Sequence, residues 1–217
     1  MVVTAKPSIW PLENGDRLSR SEFERRYQAM PNLKKAELVE GIVYMASPLR
    51  IKSHGQPHAW LTTWLGTYEA YTPDVVLGIE PTVRLDLDNE PQPDAVLLMP
   101  GRQAKIGKDD YIEGAPELVV EIAASSAAID LHDKKRAYRR NQVQEYIVWQ
   151  TLEEQFDWFR LEADDYINQI PDQQGIIRSQ IFPGLWLAVS ALLSGDMPTV
   201  LSVLQQGLNS PEHQAFI

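Results

Sequence analysis

The sequence contains no cysteine. That excludes disulfides, thiolate zinc sites, iron–sulfur clusters and cysteine nucleophiles together, and it suits a reducing compartment. Positive charge is scarce: 20 Lys+Arg stand against 30 Asp+Glu, a formal net charge of −10. A chain with this balance cannot coat nucleic acid through its overall field, so any such contact must come from a local basic patch. Long apolar runs are also missing. The longest, from Leu185 to Leu193, is interrupted by Ser190 and falls well short of the ~20 residues that span a bilayer. No membrane partner is expected. Met1–Lys6 leads into no apolar stretch of the kind a secretory signal carries, so the expected address is the cytoplasm.

What is present reads as an ordinary globular protein. With 217 residues, 44% of them hydrophobic and 23% charged, one generous domain is favoured over two cramped ones. Pro7, Pro11 and Gly15 make residues 1–17 an extended arm, 18–207 reads as a single domain, and 208–217 as a tail. No internal repeat or linker marks a second domain.

Ser19–Glu22 has a capping-box pattern ahead of a short helix at 20–29. Glu37–Met45 reads as a hairpin hinged at Gly41. Leu61, Trp64, Leu65 and Tyr68 share one stripe of a helix over 58–71. Strands are expected at 74–79, 82–87 and 94–99, then a loop over 100–116. Leu118–Ile122 is the clearest buried strand, followed by a helix over 130–140 and a strand at 145–150. Residues 155–182 alternate like an exposed antiparallel pair turning near Pro171–Gly175, and a helix over 197–207 closes the chain. This order predicts an α/β fold with a central mixed sheet flanked by helices.

Several familiar motifs fail on spacing. Gly101–Lys108 has five residues between its glycines where a phosphate loop needs four, and Asp109 stands in place of the Ser/Thr that would hold magnesium. There is no G-x-S-x-G elbow, and the four histidines form no H-E-x-x-H pair.

Carboxylate chemistry remains. Glu121 sits within an apolar run, and an ionised group there needs a cation, a metal or hydrogen-bond donors. Asp94 opens a second apolar strand. Side by side, the two strands would bring both acids to one end of the sheet, an all-oxygen donor set suited to Mg²⁺ or Mn²⁺. The plainer readings are a turn residue for Asp94 and a solvated sheet edge for Glu121. Asp130, Lys134 and Tyr138 follow at helical spacing, so Lys134 can reach back toward the sheet. Lys134, Lys135, Arg136, Arg139 and Arg140 make five of seven residues basic. That patch is either a solvated helix surface balanced by Asp130 and Asp133, or a face that approaches phosphates.

Pro93-Asp94, then Glu121 in a strand, then a lysine on the next helix resembles the PD-(D/E)XK nuclease superfamily, with its restriction endonuclease-like fold. More narrowly, the chain is similar to the Uma-two family of putative restriction endonucleases over roughly 18–190. The matching stretches are Glu37–Pro48, His54–His58, Pro93-Asp94, Pro116–Ile122, and Asp130…Lys134…Tyr138–Arg140…Val143–Tyr146. The resemblance implies Mg²⁺-dependent hydrolysis of phosphodiester bonds in nucleic acid, with DNA the expected substrate. Asp94 and Glu121 match the metal-binding acids, and Lys134 the lysine that orients or activates water. Glu37 and His58 match further polar positions, with Tyr138 beside them, and Arg136, Arg139 and Arg140 could meet flanking phosphates. A strict E-x-K would put lysine at 123, where this chain has Ala123, so Lys134 must be returned to the strand end by the fold.

Two other readings compete. A catalytically inactive nuclease-like scaffold that binds nucleic acid or a protein fits the −10 charge and Ala123. Paired carboxylates could also hydrolyse a glycoside, although a basic helix beside them has no part there. The 155–182 ribbon and the apolar segment Phe182–Leu187 suggest a homodimer surface.

Overall fold

Six consecutive buried residues form strand Leu118–Ala123, as a strand covered on both faces requires. It lies near the middle of the molecule, described here from a computed structural model covering residues 9–45 and 48–217. Residues 1–8 of the expected arm, and Ala46 and Ser47 beyond the hairpin, lie outside the described residues.

In chain order the elements are α1 (Arg20–Gln28), β1 (Ala36–Val39), β2 (Ile42–Met45), a π-helical turn (Ile51–Gly55), α2 (Gln56–Ala70), β3 (Val76–Ile79), β4 (Val83–Arg84) and β5 (Ala95–Leu98). Then come β6 (Lys105–Ile106), β7 (Ile112–Glu113), β8 (Leu118–Ala123), α3 (Ala127–Ile129), a second π-helical turn (Asp130–Lys134), α4 (Lys135–Arg140) and β9 (Glu145–Gln150). The chain ends with β10 (Gln155–Glu162), β11 (Asp165–Asn168), β12 (Ile176–Arg178), β13 (Trp186–Ala188), α5 (Val189–Ser194), α6 (Met197–Leu208) and α7 (Pro211–Phe216).

The central sheet has six strands in the order β11-β10-β9-β8-β5-β3. It is mixed: β8 and β9 run parallel, joined by the helical crossover such a pair needs, and the other neighbours are antiparallel. Alternation divides its side chains between two cores. Leu118, Val120 and Ile122 join α2, α5, α6 and the 182–188 segment. Val119, Ala123 and Val148 face Tyr138 and Tyr146. A satellite core under α1 gathers Leu12, Phe23, Leu38 and Val43.

Several elements differ from expectation. Ser19 precedes α1, yet its side chain makes no capping bond: its hydroxyl pairs with that of Ser21 at 3.1 Å, and the Glu22 carboxylate is taken by Arg25 and Arg26 at 2.7 Å each. The 82–87 strand shrinks to two residues, and the 100–116 loop holds two more short strands. The ribbon turns at Ala163–Asp164, both with positive φ, and not at Pro171–Gly175; β10 is not exposed, since Asp157, Trp158 and Phe159 are buried. Phe182, Leu185 and Leu187 lie in the main core, so that segment cannot serve as an association surface. Residues 208–217 carry α7, with His213 buried. Among the described residues, no helix is long and apolar enough to cross a membrane.

Candidate active site

The register of β5 against β8 pairs Ala95 with Val120, and one step further sets Asp94 opposite Glu121. Opposed residues of an antiparallel pair share a face; here it is the one turned toward Tyr138 and the crossover. Both carboxylates are buried, Asp94 at 5% and Glu121 at 4% exposure. The crossover supplies Lys134, also buried.

The Lys134 ammonium stands at the centre of the site. Its Nζ lies 3.0 Å from Glu121 Oε1, 3.0 Å from Glu37 Oε1 and 3.6 Å from Asp130 Oδ1. The Tyr138 hydroxyl donates to the same Glu121 oxygen at 2.8 Å. Asp130 Oδ2 accepts from Ser126 at 2.6 Å, and its carbonyl accepts from Tyr146 at 2.9 Å, while Oδ1 has no hydrogen-bond partner. Glu37 comes from the hairpin and also accepts the Gln92 N–H at 2.7 Å.

Asp94 is held from the other side. Its Oδ2 accepts the Ile122 N–H at 2.6 Å, and Oδ1 lies 3.1 Å from His54 Nε2. His58 Nε2 donates to the Asp94 carbonyl at 3.1 Å. Both π-helical turns sit at the site, one carrying His54 and the other Asp130 and Lys134. Such widened turns recur at functional positions because they re-aim side chains.

Charge follows from this geometry. Burial pushes Glu121 well above the ordinary carboxylate range; Lys134 opposes that, while Asp130, Asp94 and Glu37 add to it. Burial likewise raises Asp130, against Lys134 and Ser126. For Asp94, burial is outweighed by the His54 bond, its charge and the Ile122 N–H, so its carboxyl lies below the usual range. Burial would lower Lys134, but Glu121, Glu37 and Asp130 overcome it and hold the amine well above its ordinary value. Lys134 is therefore a fixed positive charge and a hydrogen-bond donor.

Asp94, Glu121, Lys134, Glu37, Tyr138 and His58 are thus brought to one place. The arginines turn to carboxylates: Arg136 to Asp133 and Glu40, Arg139 to Asp165, Arg140 to Glu40 and Asp86. Sequence reasoning assigned no role to His54 or Asp130. Asp130 stands one helical turn before Lys134, a spacing that marks it; His54 is revealed only by its contact with Asp94, 40 residues away.

The acids form an all-oxygen set suited to a hard divalent cation, and the buried Asp130 Oδ1 makes no hydrogen bond, facing the Lys134 ammonium at 3.6 Å. Asp94 and Glu121 are the pair that would hold such an ion. No group of three or more His, Asp or Glu that could hold a metal is gathered among the described residues.

The mixed sheet flanked by helices, with two buried acids opposed across β5 and β8, defines an α/β protein with a carboxylate site. The family model of Uma2, described as "Putative restriction endonuclease", matches residues 20–190, and the chain belongs to that family. It is also similar to a solved structure, a putative nuclease belonging to DUF820 from Anabaena variabilis, with a TM-score of 0.62 at 13% identity, covering 78% of this chain and 96% of that one. At this identity the likeness establishes the fold. No curated protein matches.

Proposed function

We propose that this chain is an Mg²⁺-dependent endonuclease, with Mn²⁺ as a substitute, that hydrolyses phosphodiester bonds of nucleic acid, DNA being the expected substrate. The observation that carries this reading is the opposition of Asp94 and Glu121 on one face with the Lys134 ammonium paired to Glu121. A divalent cation on the two carboxylates would acidify a bound water and offset charge on the attacked phosphate. Lys134 places a positive charge beside the developing negative charge of the phosphoryl oxygens; held protonated, it donates and does not act as the base. Tyr138 fixes Glu121, and Glu37 and Asp130 fix the lysine. Arg136, Arg139 and Arg140 reach flanking phosphates only by exchanging their carboxylate partners, all of which are at least partly solvated.

The test is cleavage of supercoiled plasmid by the purified protein with Mg²⁺ or Mn²⁺. Nicking that falls at least about a hundredfold in Glu121→Gln and Asp94→Asn is the expected result. Wild-type protein without activity on DNA and RNA, with either ion, overturns it.

A second reading, a binding scaffold without catalysis, is favoured by one observation: Glu121, Glu37 and Asp130 already share the Lys134 ammonium as their cation. It is distinguished by the same assay. A homodimer, if formed, would use the edge strand β11, where Ile167 and the following Ile170 are exposed; sedimentation velocity at several concentrations decides it.

A further inference from the structure

We infer that His54 is a positioning residue: through Nε2 it fixes the rotation of the Asp94 carboxylate, so that the acid is presented toward Glu121. This rests on the metal-dependent reading above and extends it to a side chain outside the acid–lysine set.

The contact is a buried one. His54 is 7% exposed, and its Nε2 lies 3.1 Å from Asp94 Oδ1. Asp94 Oδ2 is anchored separately on the Ile122 N–H. With one oxygen tied to a ring and the other to the backbone of β8, the carboxylate has no free rotation left, and each oxygen keeps a further lone pair. His58 fixes the same residue through its carbonyl, and the two rings meet edge to face at 5.7 Å. Asp94 is thus bracketed at side chain and main chain by two histidines one helical turn apart.

The ring also bears a cost that packing alone does not explain. His54 Nδ1 is buried with no hydrogen-bond partner, and an orphaned buried polar atom is destabilising. A histidine serving only as filler would be replaced by an apolar ring without loss. Its placement is built: the widened turn Ile51–Gly55 carries it, and the Thr151 hydroxyl at the end of β9 donates to the Ser53 carbonyl at 2.7 Å. Second-sphere partners of this kind orient metal-binding carboxylates, and their loss typically weakens metal affinity about 10–100-fold.

The test compares His54→Phe, which keeps the bulk, His54→Gln, which keeps a donor of similar reach, and His54→Asn, whose amide is too short. Two readouts are taken on the full chain: Mn²⁺ affinity by calorimetry, and the Ile122 amide proton shift in the metal-free protein. Asp94 held as described gives a downfield Ile122 amide, from its 2.6 Å bond, that moves upfield in His54→Phe and His54→Asn and stays in His54→Gln. Mn²⁺ affinity falls about 10–100-fold in the first two and by no more than about threefold in the third. Should His54→Phe fail to fold, His54→Asn against His54→Gln carries the same comparison. An Ile122 amide unmoved in His54→Asn, or His54→Gln as impaired as His54→Asn, overturns the assignment. If wild-type protein takes up no Mn²⁺ at all, the metal-dependent reading fails, while the amide comparison still decides the His54–Asp94 coupling.

Discussion

Replacing Lys134 with Met removes the cation shared by the buried Glu121 and Asp130 and the half-buried Glu37 while keeping most of the side-chain volume. The ammonium lies 3.0 Å from both Glu121 and Glu37. Each contact is worth roughly 5 kcal/mol of attraction at an effective dielectric of about 20, against several kcal/mol of desolvation per ion. Breaking a buried pair of this kind typically costs about 3–5 kcal/mol. For a domain of this size that lowers Tm by roughly 6–20 °C. The sign of the pH dependence follows from the carboxyls left behind. Without the lysine, the folded-state values of Glu121 and Asp130, already raised by burial, rise further. Their contribution is then kept below the unfolded carboxylate range and lost as pH rises, so the deficit should be larger at pH 8 than at pH 5. Thermal unfolding by circular dichroism from pH 5 to 9 measures this, and Lys134→Met/Glu121→Gln should recover a large share of the loss at pH 8. A Tm within about 2 °C of wild type at pH 8, or a deficit independent of pH, would refute the reasoning.

A second titration is expected away from the site. Burial and the neighbouring Glu24 carboxyl raise Glu90 to about 8, so this acid stays protonated in the folded state where the unfolded chain has already ionised. Its stabilisation is full below about pH 4.5 and lost as pH rises through about 8, with a ceiling of about 5 kcal/mol; Glu90→Gln should flatten the fall in Tm between pH 5 and 9. At Gly207, a Cβ would run into the Gly184 carbonyl where α6 crosses the 182–187 segment. Gly207→Ala should therefore cost about 2–3 kcal/mol in urea unfolding, with an unchanged m-value if only packing is lost.

The sheet and its acids were legible because they depend on short-range pattern. Leu118–Ala123 is continuously apolar except for Glu121, and such a run has few destinations other than a covered strand. Helix α2 shows its stripe in Leu61, Trp64, Leu65 and Tyr68, all of which are buried. The resemblance put Asp94, Glu121 and Lys134 into one group, and the fold brings them together although a strict E-x-K spacing is absent. What could not be read depends on partners far away in sequence. The β10–β11 turn places Ala163 and Asp164 at positive φ without a glycine, so the Pro171–Gly175 cluster was the stronger signal, yet it lies past β11. The Phe182–Leu187 run is apolar because α2 and α6 cover it, and apolarity alone does not separate a core segment from an interface. For the arginines of α4 the sequence left two readings open, a face balanced by Asp130 and Asp133 or one that approaches phosphates, because Glu40, Asp86 and Asp165, which also meet them, come from other elements.

The central claim is that Asp94 and Glu121, opposed across β5 and β8, form a divalent-cation site with the Lys134 ammonium paired to Glu121 beside it. Crystals soaked in Mn²⁺ address it most directly through anomalous scattering. A peak bridging the two carboxylates, absent in Glu121→Gln, is the expected result. No peak there at saturating Mn²⁺, in a lattice that leaves the site open, would contradict it.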